Sequence, residues 1–248
     1  MNTVQNEKSE IRTIPLYYQQ PYLTETEAEI ISAELKGANY LIELNQTIFY
    51  PEGGGQPNDQ GEIIGSNGRQ KVELVQVREG RILHQGKVMG TLQPGEKVKL
   101  QIKWSFRHQN MRTHAAGHLV HDVLMSLQPG LTPVKGSHGS KAFLQYSGPI
   151  DSTMKEALEK KVNEVLAQDL PIITKESSFE EIQATCQFVP AGLPKNKPLR
   201  TLKIGTFHAM PDGGVHVKST KEIGKIIIQE LTSQDNVTVL KYRTAGAD

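Results

Sequence analysis

The chain has 248 residues, of which 37% are hydrophobic and 22% charged, and its formal net charge is +1. This length suits one large domain or two modest ones, each with its own core, and the near-neutral charge excludes a global basic field directed at nucleic acid. The one cysteine, Cys186, excludes an intrachain disulfide and a cysteine-rich zinc site. No stretch has the apolar length of a membrane span, so we expect no membrane contact and a reducing, cytoplasmic location.

The first part of the chain has the pattern of short strands. Residues 1–13 are mostly polar, and we interpret them as a disordered tail. Turn signals such as Ser66-Asn67-Gly68 separate the segments that follow. Strand-length segments with alternating or continuous apolar residues lie at 40–44, 71–77 and 97–103. The pattern at 28–35 suits a helix or a strand, and we predict a strand because a hairpin-like turn and another strand follow. This punctuation predicts a small antiparallel β-barrel over residues 14–104.

A glycine-rich loop lies within the barrel segment. Gly53, Gly54 and Gly55 are consecutive, and such a run permits close approach of a partner to the backbone. The loop lacks the Gly-Lys-Ser/Thr ending of a phosphate-binding P-loop. Gln56 and Asp59 add hydrogen-bonding groups, which makes the loop a candidate binding element; a plain connection between strands is the alternative.

Helices dominate the pattern after the barrel segment. Asn110 is the predicted N-cap of a long helix, and residues 152–169 form a second one. Ser178 and Glu181 have the spacing of a capping box, which predicts a short third helix. Strands are predicted at 199–205, 214–218, 225–230 and 237–242. Helices packed on one face of an antiparallel sheet make an α+β domain over residues 105–248.

Two pairs of metal-binding residue types have a spacing of four. A helix brings residues four apart onto one face, so His114 and His118 can bind one cation. Asp212 and His216 flank a Gly-Gly turn, and this spacing allows two more side chains to close the same site. The pattern therefore predicts one divalent ion per chain.

Three neighbouring positions limit the chemistry of this site. Ala115 stands where zinc peptidases of the His-Glu-x-x-His type carry a glutamate base, which excludes proteolysis by that mechanism. His121 shares the helix stripe with the histidine pair, and we interpret it as a supporting group rather than a ligand. His208, four residues before Asp212, is a spare candidate ligand.

Basic residues are concentrated around the Asp212 turn. Residues 195–225 contain two acidic residues, Asp212 and Glu222. The same segment contains seven basic residues: Lys195, Lys197, Arg200, Lys203, Lys218, Lys221 and Lys225. The local charge of +5 suits a phosphate-bearing substrate, and a solvated lysine-rich face is the alternative.

Three motifs in one order carry a resemblance to a known family. They are the loop Gly53-Gly-Gly-Gln-Pro-x-Asp-x-Gly61, the helix segment Arg112-Thr-His-x-x-x-His118, and the turn Gly213-Gly-Val-His-Val-x-Ser-Thr-x-Glu-Ile-Gly224. Together they resemble the editing region of alanyl-tRNA synthetase and its free-standing relatives, the AlaX-type alanyl-tRNA editing proteins. The likeness covers about residues 14–242 and is similar in extent to the medium-sized AlaX form. No adenylation domain precedes it, so we expect no tRNA charging.

The resemblance implies a trans-editing hydrolase. Its expected partner is tRNA(Ala) charged with the wrong amino acid, chiefly serine and secondarily glycine, because a small synthetic pocket cannot strongly reject either one. The implied cofactor is one Zn²⁺ per chain on His114, His118 and His216. The expected substrate-binding residues are Gly54, Gly55, Gln56, Lys218 and Lys221, with Gln56 and Thr113 as candidates for the amino-acid pocket.

The sequence departs from the family pattern at Asp212, where the family usually has cysteine. Aspartate also binds zinc, at roughly 2.0–2.2 Å, and a harder oxygen ligand admits other divalent ions. Alternatively, Asp212 lies outside the metal shell and three histidines leave an open position. Cys186 lies in a predicted helix and is a poor substitute.

Two other functions stay open at the level of sequence. One is a metal-free tRNA-binding module that lost its ion together with the cysteine. The other is a metal-dependent hydrolase of a different small ester or amide.

Overall fold

The computed structural model describes residues 13–196 and 198–246, so the predicted tail lies outside the described residues except for Thr13. The chain divides into two compact units, Met1–Glu52 with Pro57–Arg107 and Gly53–Gln56 with His108–Asp248. The tip of the glycine-rich loop therefore belongs to the second unit, although the sequence interpretation included it in the barrel domain 14–104.

The first unit contains a closed antiparallel barrel of six strands, as predicted. In chain order its elements are β1 (Ile14–Pro15), α1 (Leu16–Gln19), β2 (Glu25–Lys36), β3 (Asn39–Leu44), β4 (Gln46–Thr47), β5 (Gly61–Ile64), β6 (Gly68–Arg78), β7 (Arg81–Gly90) and β8 (Lys97–Ile102). The barrel order is β2-β3-β7-β6-β5-β8, and β1 pairs with β4 in parallel. The predicted strand at 28–35 is confirmed as part of β2.

Alternation of apolar and polar residues explains the barrel core. In β8, Val98, Leu100 and Ile102 are buried, and the residues between them are exposed. A strand turns successive side chains to opposite faces, so the sequence of β8 alone defines its inner side.

A buried ion pair lies at the end of the first unit. The Arg107 guanidinium donates from Nε to Asp59 Oδ1 at 2.8 Å and from Nη1 to the Pro21 carbonyl at 2.8 Å. Asp59 also accepts from the Tyr50 backbone N–H at 2.7 Å. Both charged side chains are almost fully buried. Asp59 is therefore a structural residue of the barrel unit, and its carboxylate is engaged within that unit.

Breaking this pair is expected to destabilise the barrel unit strongly. Arg107→Met leaves the Asp59 charge buried without its partner, and the free energy of unfolding should fall by about 3–5 kcal/mol. Urea unfolding followed by the fluorescence of Trp104, the one tryptophan of the chain, measures the change. The matched control is Lys99→Met, which breaks the exposed pair with Glu25 and should cost less than about 1 kcal/mol. Equal losses in both variants would contradict the prediction.

The second unit combines helices with two antiparallel sheets, which confirms the predicted α+β class. Its elements are α2 (Trp104–Leu127, whose first turn precedes the unit), β9 (Thr132–Ser137), β10 (Phe143–Ser147), α3 (Met154–Leu166), β11 (Ile172–Ser177), α4 (Phe179–Thr185), β12 (Leu199–Ile204), β13 (Met210–Pro211), a 3-10 turn (Thr220–Ile223), β14 (Lys225–Gln234) and β15 (Val237–Ala245). The sheet orders are β14-β15-β10-β9 and β11-β12-β13. Among the helices of the described residues, none has the length and apolarity needed to cross a membrane.

One helix boundary differs from the sequence predictions, and another is confirmed. The predicted N-cap Asn110 is wrong, since α2 begins at Trp104 and Asn110 is a buried interior residue. The backbone amides of Phe106 and Arg107 bond to the Lys103 carbonyl, so the helix starts a turn and a half earlier. The capping box is confirmed, because the Ser178 side chain accepts from the Glu181 amide.

The predicted strand at 214–218 is also wrong. The backbone amide of Gly214 donates to the Asp212 carboxylate, and that of Val215 donates to the Gln56 side chain. These donors are therefore used by side chains and not by a β-ladder. The segment is an irregular turn, and its shape depends on the residues that form the site described next.

Candidate metal centre

The middle of α2 holds the first two predicted ligands in a rigid, buried setting. Every residue from 110 to 120 is buried. His114 and His118 lie on one face of the helix, with their ring centroids 4.8 Å apart and their planes inclined by 24°. The helical spacing therefore places them as the sequence predicts.

The structure brings all four predicted ligands together. One ligand atom from each of His114, His118, Asp212 and His216 lies within 4.8 Å of the others. Asp212 Oδ1 is 3.2 Å from His114 Nε2 and 3.3 Å from His118 Nε2, and Asp212 Oδ2 is 3.4 Å from His216 Nε2. The three Nε2 atoms thus surround one carboxylate.

Gln56 fixes the orientation and the proton position of His114. The Val215 backbone N–H donates to Gln56 Oε1 at 3.1 Å, which identifies that atom as the carbonyl oxygen. His114 Nδ1 lies 2.9 Å from the same oxygen and must therefore donate to it. A neutral His114 then carries its proton on Nδ1 and turns a bare Nε2 toward the cluster, which is the second-shell arrangement of metal-binding histidines.

The other two imidazoles also leave Nε2 available. His118 Nδ1 contacts the Met210 thioether at 2.7 Å, a group that can only accept a hydrogen bond. Neither ring nitrogen of His216 has a hydrogen-bond partner within the part of the chain that the structure describes. The cluster therefore places buried imidazole nitrogens next to the Asp212 carboxylate without a proton donor between them. Buried acceptor atoms at such short distances repel one another unless a cation lies between them, so this set of ligand atoms fits a divalent metal ion.

Electrostatics favour the metal-binding protonation state. Burial lowers the pKa of His114, although the Asp212 charge opposes this shift. Burial also lowers the pKa of His216 well below the ordinary histidine value. Burial by itself raises the pKa of Asp212, but the surrounding His114 and His216 hold it well below its usual range. Neutral imidazoles with an ionised carboxylate are the forms that coordinate a metal.

Asp212 has a second contact that bears on its role. Its Oδ2 accepts from the Gly214 backbone N–H at 2.7 Å, so the carboxylate also shapes the turn. A side chain at Gly214 would place its Cβ 2.3 Å from the His114 ring. Position 214 therefore needs glycine because a side chain would collide with the His114 ring. Its backbone conformation does not demand glycine, since its φ lies outside the left-handed region.

A cavity of about 550 Å³ opens beside the cluster within the second unit. His114, His118 and Asp212 line one side of it. Apolar side chains form another side, among them Leu144, Phe188 and Pro190. Phe188 is 38% exposed, so part of its ring is accessible to solvent.

The predicted pocket residues divide into two groups. Gly54 lines the cavity. Gln56 is 1% exposed and contacts His114 without lining the cavity. The Gly55 carbonyl accepts a hydrogen bond from the His138 backbone amide at 2.8 Å. Thr113 is not among the residues that line the cavity, and its hydroxyl donates to the Gln109 carbonyl one turn earlier in its own helix. Gln56 and Thr113 thus support the site without facing it.

The predicted basic surface is exposed but lies outside the cavity. Lys218 and Lys221 are exposed and are not among its lining residues. The Lys195 ammonium lies over the Phe179 ring at 5.2 Å, and Lys197 falls outside the described residues. Arg200 lies opposite Glu176 in the ladder between β11 and β12.

The structure adds one site residue that the sequence interpretation missed. His138 stacks on His114 with ring centroids 4.1 Å apart, and it lines the cavity. No spacing signal identifies it, because His138 follows β9 in a segment without periodic pattern. His121 also lines the cavity, but its Nδ1 bonds the Tyr146 hydroxyl at 3.1 Å and it stays outside the ligand group. Cys186 and His208 are also outside that group.

Two family descriptions match the chain. Residues 5–106 match the class II (A) tRNA synthetases, and residues 199–238 match the second additional domain of threonyl and alanyl tRNA synthetases. The second match contains Asp212 and His216 of the cluster.

Individual proteins resemble most of the chain. The alanyl-tRNA editing protein AlaX-L of Pyrococcus horikoshii is 36% identical over 217 residues, which are 85% of this chain and 52% of that protein. The alanine–tRNA ligase of Archaeoglobus fulgidus is 34% identical over 264 residues, covering 99% of this chain and 27% of the ligase. This chain thus spans about half the length of the first relative and about a quarter of the second.

A relative of similar size completes the comparison. The alanyl-tRNA editing protein AlaX-M of Saccharolobus solfataricus is 30% identical over 230 residues, which are 90% of this chain and 94% of that protein. The match therefore extends over nearly all of both chains and includes the helix and the turn that form the histidine cluster. The chain belongs to the AlaX family of alanyl-tRNA editing proteins.

Proposed function

We propose that this protein hydrolyses the ester bond of tRNA(Ala) mischarged chiefly with serine and secondarily with glycine. The observation that carries the proposal is the His114, His118, Asp212 and His216 cluster at the wall of a cavity, in a chain related to AlaX proteins over almost its full length. Charged tRNA is a component of translation, so we place the activity in the cytoplasm.

We further propose that the cluster holds one Zn²⁺ per chain. Three imidazoles and one carboxylate supply four ligand atoms, the number that zinc prefers. A bound ion of this kind supplies positive charge that polarises a carbonyl or lowers the pKa of water. Another divalent ion is the alternative, because a carboxylate oxygen is a harder ligand than a thiolate.

The protein side chains around the cluster orient and enclose the substrate. Gln56 holds the His114 ring, and the backbone of Gly54 allows the acyl group to approach closely. The apolar wall with Phe188 offers a surface on which the terminal base of a tRNA can stack. Hydrolysis adds the water oxygen to the acyl carbon, breaks the bond to the ribose oxygen, and returns a proton to that oxygen.

A deacylation assay with three substrates tests the function. Ser-tRNA(Ala) and Gly-tRNA(Ala) should be hydrolysed by the metal-loaded protein, and Ala-tRNA(Ala) should be spared. Binding of tRNA without hydrolysis would indicate a binding module. Hydrolysis of simple acyl esters at the rate of Ser-tRNA(Ala) would indicate an esterase of another class. Metal analysis of the purified protein identifies the ion.

The exposed lysines near the Asp212 turn give a separate prediction. We expect the double variant Lys218→Gln, Lys221→Gln to bind tRNA more weakly and to reduce the slope of log K against log salt by about 1 to 2, because each lysine that neutralises a phosphate releases a counterion. Filter binding at several salt concentrations measures the slope.

The control removes the same charge from an exposed helix. Lys160 and Lys161 lie in α3 and are exposed, so their replacement by Gln matches the change in net charge. An equal loss in both double variants would make residues 218 and 221 part of a solvated face and not of the tRNA surface.

A further inference from the structure

His138 lies next to the metal-binding cluster without belonging to it. Its ring stacks on His114 with centroids 4.1 Å apart and planes inclined by 21°. Its backbone amide donates to the Gly55 carbonyl, and the residue is 6% exposed. It is not one of the four residues whose ligand atoms converge. Both contacts hold it beside the cluster.

A chain of hydrogen bonds determines which ring nitrogen of His138 carries the proton. The Tyr242 hydroxyl oxygen is 3.1 Å from the Thr113 carbonyl oxygen and 2.6 Å from His138 Nδ1. A carbonyl can only accept, so the hydrogen between the two oxygens must come from Tyr242. If Tyr242 donated to His138 instead, two buried oxygens would face each other without a hydrogen. The favourable arrangement is therefore donation from His138 Nδ1 to Tyr242 and from Tyr242 to Thr113.

This arrangement leaves Nε2 of a neutral His138 as a bare acceptor. Among the described residues, Nε2 has no hydrogen-bond partner, and His138 is one of the residues that line the cavity. Gly117 makes the arrangement sterically accessible, because a Cβ there would lie 2.4 Å from the Tyr242 hydroxyl and 2.6 Å from His138 Nδ1. Gly117 therefore lies at the point of α2 that the His138 ring and the Tyr242 hydroxyl contact.

We propose that His138 Nε2 accepts a hydrogen bond from the hydroxyl of the seryl group and thereby favours the seryl ester over esters that lack a hydroxyl. This inference rests on the proposed editing function. Seryl, glycyl and alanyl esters share the amino group and the ester, so the hydroxyl is what distinguishes serine from alanine. A site built to bond a hydroxyl disfavours an analogue that lacks one, because the acceptor is then desolvated without a partner.

Two neighbouring polar groups of the cavity are already engaged. The Asp212 carboxylate faces three histidines and accepts from Gly214. His121 Nδ1 is bonded to the Tyr146 hydroxyl. His138 therefore presents an acceptor that no protein group uses, in the cavity beside the cluster.

The test compares substrates in the metal-loaded protein. His138→Phe keeps an aromatic ring against His114 but removes the acceptor. We expect kcat/KM for Ser-tRNA(Ala) to fall about tenfold, the value of one hydrogen bond, while Gly-tRNA(Ala) changes less than about twofold. His138→Gln returns a carbonyl oxygen and should recover part of the serine activity. Metal content should stay at that of the wild type.

A second measurement is independent of any variant. Proton–nitrogen NMR correlation spectra of the wild-type holoprotein should show His138 protonated at Nδ1 and bare at Nε2. Protonation at Nε2, or an equal loss of serine and glycine hydrolysis in His138→Phe, would overturn the proposal. Failure of the wild type to hydrolyse Ser-tRNA(Ala) would instead refute the editing function on which it rests, and the two failures are thus distinguishable.

Discussion

Replacing His118 with Ala is expected to abolish both metal binding and the proposed deacylation. His118 Nε2 is buried, faces the Asp212 carboxylate at 3.3 Å, and has no hydrogen bond in the described part of the chain. Removing it takes away one of the four ligand atoms and leaves a gap in the buried site, so the affinity should fall far enough for the ion to be lost on dialysis. We expect a metal content near zero after dialysis and a fall in kcat/KM to the uncatalysed level.

The control is a histidine of the same helix outside the cluster. His108→Ala removes an imidazole from α2 at a half-exposed position near Glu222. This variant should keep the wild-type metal content and most of the activity. Circular dichroism separates loss of the ion from loss of the fold. Full metal content in His118→Ala would remove this residue from the ligand set.

The sequence predicts which site residues lie together where a single helix or a short turn connects them. A helix places His114 and His118 on one face, and a short turn keeps Asp212 near His216. The supporting contacts come from distant parts of the chain: Gln56 reaches His114 across 58 positions, and Met210 reaches His118 across 92. No periodicity encodes such pairs, because they form only when the unit folds.

The same distinction holds for the fold. β8 was predictable because the residues on one side of it are apolar and buried, whereas β5 and β7 were not predicted from the sequence. β9 escaped prediction because its sequence Thr-Pro-Val-Lys-Gly-Ser contains proline and glycine and has few apolar residues. The false strand at 214–218 has apolar valines at 215 and 217, but both are buried in an irregular turn whose amides bond to side chains. The β-propensity of the valines is overridden there by hydrogen bonds from the backbone to the site side chains Asp212 and Gln56.

Asp212 can serve as a metal ligand, as a residue that shapes the turn, or as both. As a turn residue it accepts from Gly214 through Oδ2, and as a candidate ligand it faces His114 and His118 through Oδ1. The structure contains both features, so a variant that removes the whole side chain cannot separate them. Asp212→Asn keeps an oxygen that can accept from Gly214 but removes the negative charge and one oxygen.

We therefore expect Asp212→Asn and Asp212→Ala to lose zinc affinity to a similar degree, by at least about 100-fold, more than the loss of an outer-shell partner costs. Asp212→Cys should bind zinc more tightly and more selectively than the wild type, because a thiolate is a softer ligand. Sulfur is one bond closer to the backbone than a carboxylate oxygen, but its bond to zinc is longer, at roughly 2.3 Å.

Titration of the four proteins with zinc, cobalt and manganese at several pH values decides between ligand and turn. Burial lowers the pKa of His114 and His216, so these rings stay neutral below the ordinary histidine range, and the wild type should retain its ion into mildly acidic solution. Protonation of the imidazoles at still lower pH should release it. If Asp212 acts only through its turn, Asp212→Asn will bind metal as the wild type does while Asp212→Ala weakens the site. A ligand role requires the charge, and Asp212→Asn must then fail together with Asp212→Ala.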